Sequence, residues 1–99
     1  MVYGLEFAES VKGQLRGLTA HQRAAVFDGI ERQLTHEPLS ETRNRKPLRP
    51  NPVAPWELRL GDLRVFYEVA PDQATTIRIL AVGVKSGNTL RIGGQEVKL

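Results

Sequence analysis

The chain has no cysteine, which removes disulfide frameworks, thiolate metal sites and a cysteine nucleophile from consideration. Histidine is almost as scarce. His21 and His36 are too few for a histidine-rich metal centre and have no metal-ligand spacing. Uninterrupted apolar runs extend only a few residues, too short for a membrane-spanning helix. The opening MVYGLEFAES lacks the basic region and long apolar stretch of a secretory signal. The expectation is a cytoplasmic protein with no metal, no other cofactor and no membrane association. Its 99 residues give room for one domain, residues 1–99, around one modest core.

Basic charge is present in excess and is unevenly placed. The net charge is +3, yet residues 1–40 carry −1 and residues 66–99 carry +1. The segment 41–65 carries +3, with Arg43, Arg45, Lys46, Arg49, Arg59 and Arg64 set against Glu41, Glu57 and Asp62. Clustered arginine of this kind is compatible with nucleic acid or with an acidic protein partner, and equally with a solvated surface.

Periodicity divides the chain into elements. Tyr3, Leu5 and Phe7 alternate with polar or small residues, the pattern of a short half-buried strand. Val11, Leu15 and Leu18 recur at helical spacing in a segment ended near Gly17. Thr19-Ala20-His21-Gln22 has the form of a capping box. Behind it Ala20, Ala24, Phe27, Ile30 and Leu34 predict the apolar stripe of a second helix, stopped by Pro38. Four prolines between Pro47 and Pro55 predict a long loop over residues 39–55 with no regular element. Strands return with Trp56–Leu60, a Gly61-Asp62 turn, Leu63–Ala70, and a central strand over Thr75–Lys85. A small hairpin on Gly93-Gly94 closes the chain. The expected fold class is α+β: an N-terminal strand, a helical hairpin, then an antiparallel twisted sheet of about four strands with the helices packed on one face.

The segment WELRLGDLRVFYEV (Trp56–Val69), followed by IRILAVGVK (Ile77–Lys85), resembles the RelE/ParE toxin superfamily of bacterial type II toxin–antitoxin systems. Lys46-Pro47-Leu48, the opening strand Tyr3–Phe7 and the helix stop from Leu34 to Pro38 fit the same pattern, so the resemblance spans essentially the whole chain. It implies a RelE-like toxin that inhibits translation by entering the ribosome and cutting mRNA. In that endoribonuclease reaction the 2′-hydroxyl attacks the adjacent phosphate and leaves a 2′,3′-cyclic end. It also implies a cognate antitoxin as partner. The ParE branch shares the fold and poisons DNA gyrase instead, which is the alternative, together with a diverged toxin that binds an antitoxin but has little activity.

The resemblance carries over Arg64, Arg59 and Lys85 as catalytic electrostatic groups. Arg64 would stabilise the charge of the transition state, Arg59 would lie along the mRNA backbone, and Lys85 would supply the basic group after the last core strand. Arg43, Arg45, Lys46 and Arg49 of the loop, with Arg78 and Arg91 on later strands, complete the expected RNA-binding set. Three departures stand out. Glu57 occupies a position where a lysine often contributes, the tyrosine expected shortly beyond Lys85 is absent, and no histidine follows it. Arginine cannot act as a base. Glu57 or Glu68 has the chemistry of a base, but each reads more readily as a surface ion-pair partner. Tyr67 falls among the apolar strand positions and reads as core. Read from the residues alone, Arg59 and Arg64 either form a concave basic patch with Arg78 or Lys85, or pair with Glu57, Asp62 or Glu68 and finish the sheet surface. The strand register decides between these.

Overall fold

The computed structural model describes residues 2–99. A short strand β1 (Gly4–Phe7) leads into two helices, α1 (Glu9–Arg16) and α2 (Ala20–Leu34). Six strands follow: β2 (Arg45–Pro47), β3 (Trp56–Leu60), β4 (Leu63–Val69), β5 (Thr76–Ser86), β6 (Thr89–Ile92) and β7 (Gln95–Val97). The fold is α+β, with both helices on one side of a mainly antiparallel sheet. The sheet is broader than four strands: β2 to β7 pair in sequence order, and β1 adds alongside β5 in parallel.

The long strand β5 organises this arrangement. One flank pairs with β4 along its length. The other flank pairs first with β1, from Thr76 to Ile79, and then with β6, from Gly83 to Ser86. Between these partners the Val82 N–H donates to Gln14 Oε1 of α1 at 2.8 Å, so α1 supplies a partner where the strand pairing is interrupted. Gly83 is required where β6 begins, because a Cβ there would lie 2.5 Å from the Arg91 carbonyl oxygen.

The local signals explain most of the boundaries. Thr19 accepts from the Gln22 N–H at 3.0 Å while the Gln22 side chain accepts from the Thr19 N–H at 2.9 Å, a complete capping box. Arg23 Nη1 donates to the Leu18 and Leu15 carbonyls, tying down the short link between the helices. At the β3–β4 turn Gly61 has φ +61, and among the described residues no non-glycine residue has positive φ. A left-handed first turn position followed by an ordinary second one is the hairpin geometry that favours glycine there.

Two expectations are corrected. The buried face of α2 is Val26, Gly29, Ile30 and Leu34 rather than the stripe through Ala20, Ala24 and Phe27. Ile30 and Leu34 belong to both patterns, and Val26 rather than Phe27 continues them inward. Phe27, 46% exposed, instead packs edge-on against Phe7 with ring centroids 6.0 Å apart. Residues 39–55 also contain a regular element, because β2 forms an edge strand against β3. Pro47 ends that strand opposite Trp56, a position where a missing donor is tolerated.

The rest of the proline-rich segment is held by Asn51. Its Oδ1 accepts from the N–H groups of Val53 and Ala54, and its Nδ2 donates to the Arg49 and Ala54 carbonyls. The Leu48 N–H donates to the Pro55 carbonyl at 2.8 Å, closing the loop on itself.

The main core lies between the helices and the sheet, with Val11, Val26, Ile30 and Leu34 packed on Leu58, Val65, Tyr67, Ile77, Ile79 and Val82. A smaller cluster of Ala54, Phe66, Ala81 and Leu90 sits on the opposite face. Leu48 and Val53 of the proline-rich loop pack against it.

Candidate functional site

The face away from the helices carries the charge, and the strand register shows how. Arg59 and Arg64 are direct cross-strand partners, and Lys46 lies opposite Glu57 on the neighbouring strand. Side chains alternate along a strand, so Lys46, Glu57, Arg59 and Arg64 all project on this open face.

Glu57 is the centre of the cluster. It is only 5% exposed and is the one buried charged side chain among the described residues. Its Oε2 accepts from Arg59 Nε at 3.1 Å, and its Oε1 lies 3.5 Å from Arg64 Nε. Arg64 Nε is itself buried and makes no hydrogen bond, so its contact with Glu57 is a charge pairing at contact distance. Arg64 is held further by Nη1, which donates to the Gly61 carbonyl at 2.6 Å and the Leu63 carbonyl at 2.9 Å. The β3–β4 turn therefore positions its guanidinium.

Of the two arrangements open to the arginine pair, the structure shows the pairing with Glu57. Reading Glu57 as a surface residue is corrected: it is buried beneath the arginines. Sequence gave no sign of this, because Glu57 reads as an ordinary polar member of an alternating strand.

Lys85 extends the cluster past the turn, its N–H donating to the Asp62 carbonyl at 2.7 Å. With Glu57 it lines a pocket of about 280 Å³ whose other polar residues are Asn88 and Lys98 and whose apolar lining includes Leu90 and Val97. Lys98 was not among the expected site residues. It falls in a short terminal strand pattern with no motif around it, and only the fold brings it beside Lys85.

The remaining expected residues separate. Arg43 and Arg49 are exposed on the segment leading to β2 and on the proline-rich loop. Lys46 pairs loosely with Glu41 at 3.5 Å. Arg45 faces the other way, its Nη1 donating to the Gln33 carbonyl at 2.7 Å and its Nε to the Ser40 carbonyl at 3.0 Å. It secures the C-terminal end of α2, where a cation is favoured. Arg91 is the cross-strand partner of Val84, a residue packed against the helix-side core, and so lies on the covered face of the sheet.

Arg78 stands at the far end of β5 from Lys85, seven residues and roughly 23 Å along the strand. There it meets Glu6 at 3.1 Å, Asp72 at 3.4 Å and Glu68 at 3.6 Å. Its hydrogen bond to the Glu6 carboxylate raises its pKa, burial opposes this, and the charges of Glu6, Asp72 and Glu68 raise it further. Arg45, Arg78 and Arg91 are therefore not part of the patch around Arg59 and Arg64.

Aromatic and imidazole groups lie elsewhere. Tyr67 is fully buried on the helix side, stacked on Trp56, and donates to the Pro38 carbonyl at 2.6 Å. Burial pushes its phenol well above the ordinary range, and the Arg45 charge offsets this only in part. His21 lies in the first turn of α2, and His36 follows its C-terminal end beside a shallow pocket with Asp28, Glu31 and Arg32. Among the described residues no group of three His, Asp or Glu side chains is placed to hold a metal ion. No helix is long and apolar enough to cross a membrane.

An α+β sheet with helices on one face and a glutamate-bridged arginine pair on the other defines a small two-layer domain. No protein-family model matches the sequence, and no curated protein does. Solved structures do. A chain of the RelBE2 toxin–antitoxin complex from Mycobacterium tuberculosis is 30% identical with a TM-score of 0.69, the match covering 86% of this chain and 100% of that one. A chain of the archaeal RelE–RelB complex from Pyrococcus horikoshii shares the fold, with 23% identity and a TM-score of 0.63 over 88% of this chain and 99% of that one. The chain belongs to the RelE-like toxin family.

Proposed function

We propose that this protein inhibits translation by cutting mRNA on the ribosome, and that its open sheet face is the surface that meets the RNA. The observation that carries this reading is the directly paired Arg59 and Arg64, held by one buried carboxylate and flanked by Lys46 and Lys85. Guanidinium offers a planar fork of donors with a permanent charge, which suits a phosphodiester and the added charge of its pentacoordinate transition state. In the proposed reaction the 2′-hydroxyl loses its proton to solvent and bonds to phosphorus. The bond from phosphorus to the 5′-oxygen breaks, and the Lys85 ammonium returns a proton to that oxygen. Arg59 and Arg64 meet the negative charge throughout. Arg49, exposed on the loop that packs against this face, and Arg43, exposed ahead of β2, add contacts to the RNA backbone.

The partner in this reading is an acidic antitoxin segment that covers the basic face and is ordered by binding it. Support comes from the toxin–antitoxin complex whose chain this protein matches. Adding the purified protein to a translating extract tests the function. Site-specific breaks in the mRNA are the expected outcome, and mRNA left intact at doses that arrest growth rules it out.

A second reading is favoured by one observation. The two histidines and Tyr67 all lie away from the arginine pair. A protein that acts by binding DNA gyrase needs no acid–base set. Stalled gyrase cleavage complexes with intact mRNA would identify that activity.

A further inference from the structure

Two guanidiniums on directly opposed positions of an antiparallel pair repel each other, and their side chains are close enough for this to matter. Arg59 and Arg64 nevertheless occupy such positions. The cost of burying a carboxylate beside Phe66, where an apolar residue would pack without penalty, has to be offset by its pairing. Glu57 resolves both problems at once by taking the Nε edge of each arginine. Arg59 makes no other side-chain hydrogen bond among the described residues and its side chain is 46% exposed, so its two terminal nitrogens are free to reach a ligand. For Arg64, whose Nη1 is bound to two turn carbonyls, Nη2 is the group free to do so.

We propose that Glu57 is the positioning residue of the open-face site: its buried carboxylate fixes the orientation in which Arg59 presents its donors to a phosphodiester, and balances the charge of Arg64, whose guanidinium the turn carbonyls hold beside it. This rests on the RNA-cleaving function proposed above and deepens it. Glu57 does not touch the reacting atoms. It lowers the net positive charge of the face, which weakens ground-state attraction to RNA, and in exchange aligns donors with the charge that develops at phosphorus. Removing its charge should therefore move binding and turnover in opposite directions, which loss of structure cannot do.

The variant Glu57→Gln keeps the shape and removes the charge. Binding is read with a short 2′-deoxy-substituted RNA that cannot be cut, turnover by mRNA breaks in a translating extract, and arginine geometry by the 15N resonances of the Nε–H groups. The expected results are tighter RNA binding at low salt, a salt slope steeper by about 0.7, and turnover lower by on the order of 10²-fold. The Nε–H signal of Arg59, the arginine hydrogen-bonded to Glu57, should collapse toward that of free arginine. Turnover equal to wild type, or binding and turnover falling together, overturns the proposal. If Glu57→Gln does not fold, Glu57→Asp decides. It keeps the charge but shortens the reach, so a wild-type salt slope with reduced turnover supports positioning, and undiminished turnover overturns it. If the wild-type protein cuts no mRNA, the proposed function fails separately, and the Arg59 Nε–H signal still decides: collapse in the variant supports the role of Glu57, and an unchanged signal overturns it.

Discussion

The two faces of the sheet use the same strands for opposite purposes. On the helix side, Leu58, Val65, Tyr67, Ile77 and Ile79 are fully buried under α1 and α2 and supply the main core. On the open side, the residues between them set two arginines, Arg59 and Arg64, around the buried carboxylate of Glu57. Period-two alternation lets one hairpin do both, and every one-residue slip in register would exchange the faces. The difference teaches that substitutions on β3 and β4 should separate by parity, Phe66 of the smaller buried cluster excepted: one set acts on stability, the other on what the surface binds.

The largest expected effect tests the covered face. Leu58→Ala opens a cavity under the helices and should lower unfolding free energy by about 2–5 kcal/mol in a denaturant titration. An effect as small as that of a surface change would mean that the helices do not close over β3. Tyr67→Phe comes next, at about 1–3 kcal/mol, because the buried Pro38 carbonyl loses its donor. Its pH signature has a definite sign. The folded phenol is raised above its ordinary value of 10.0, so the native state keeps a proton that the unfolded chain releases. That contribution is complete below pH 10 and is lost as pH rises toward the folded value. The phenylalanine variant should therefore lack this component of alkaline destabilisation in pH-dependent melting curves.

Thr19→Ala removes one half of the capping box and should cost about 1 kcal/mol, read by thermal unfolding. The smallest stability effect belongs to the open side. Arg49→Ala, on the exposed loop over that face, should change unfolding free energy by no more than about 0.5 kcal/mol, while flattening the salt dependence of RNA binding by about 0.7 in slope. A stability loss there comparable to Leu58→Ala would erase the distinction between the faces.

These contrasts also show what was legible from sequence. The β3–β4 hairpin could be read because Gly61-Asp62 fixes a two-residue turn and the alternation on either side is regular. The second helix could be placed from its capping box, but not oriented. Val26 and Phe27 are adjacent apolar residues, and which one turns inward depends on the sheet beneath. The edge strand β2 was hidden by proline density, since Pro47 can end an edge strand without forfeiting a needed hydrogen bond.

The arginine pair was foreseeable as a pair, because residues flanking a tight turn end up side by side. Glu57 is one of the partners the sequence offers them, but its burial is not legible there, since burial of a charged side chain follows from packing rather than from spacing. For the same reason Arg45, Arg78 and Arg91 were grouped with Arg59 and Arg64. Their positions on a face, or at the far end of β5, depend on tertiary pairing.

The most direct test of the open face as the working surface is growth after induction of the wild-type protein against Arg64→Ala, with circular dichroism showing that both fold. The account predicts that wild-type induction arrests growth and that the variant, folded and present at the same level, does not. Equal arrest by both proteins would contradict it.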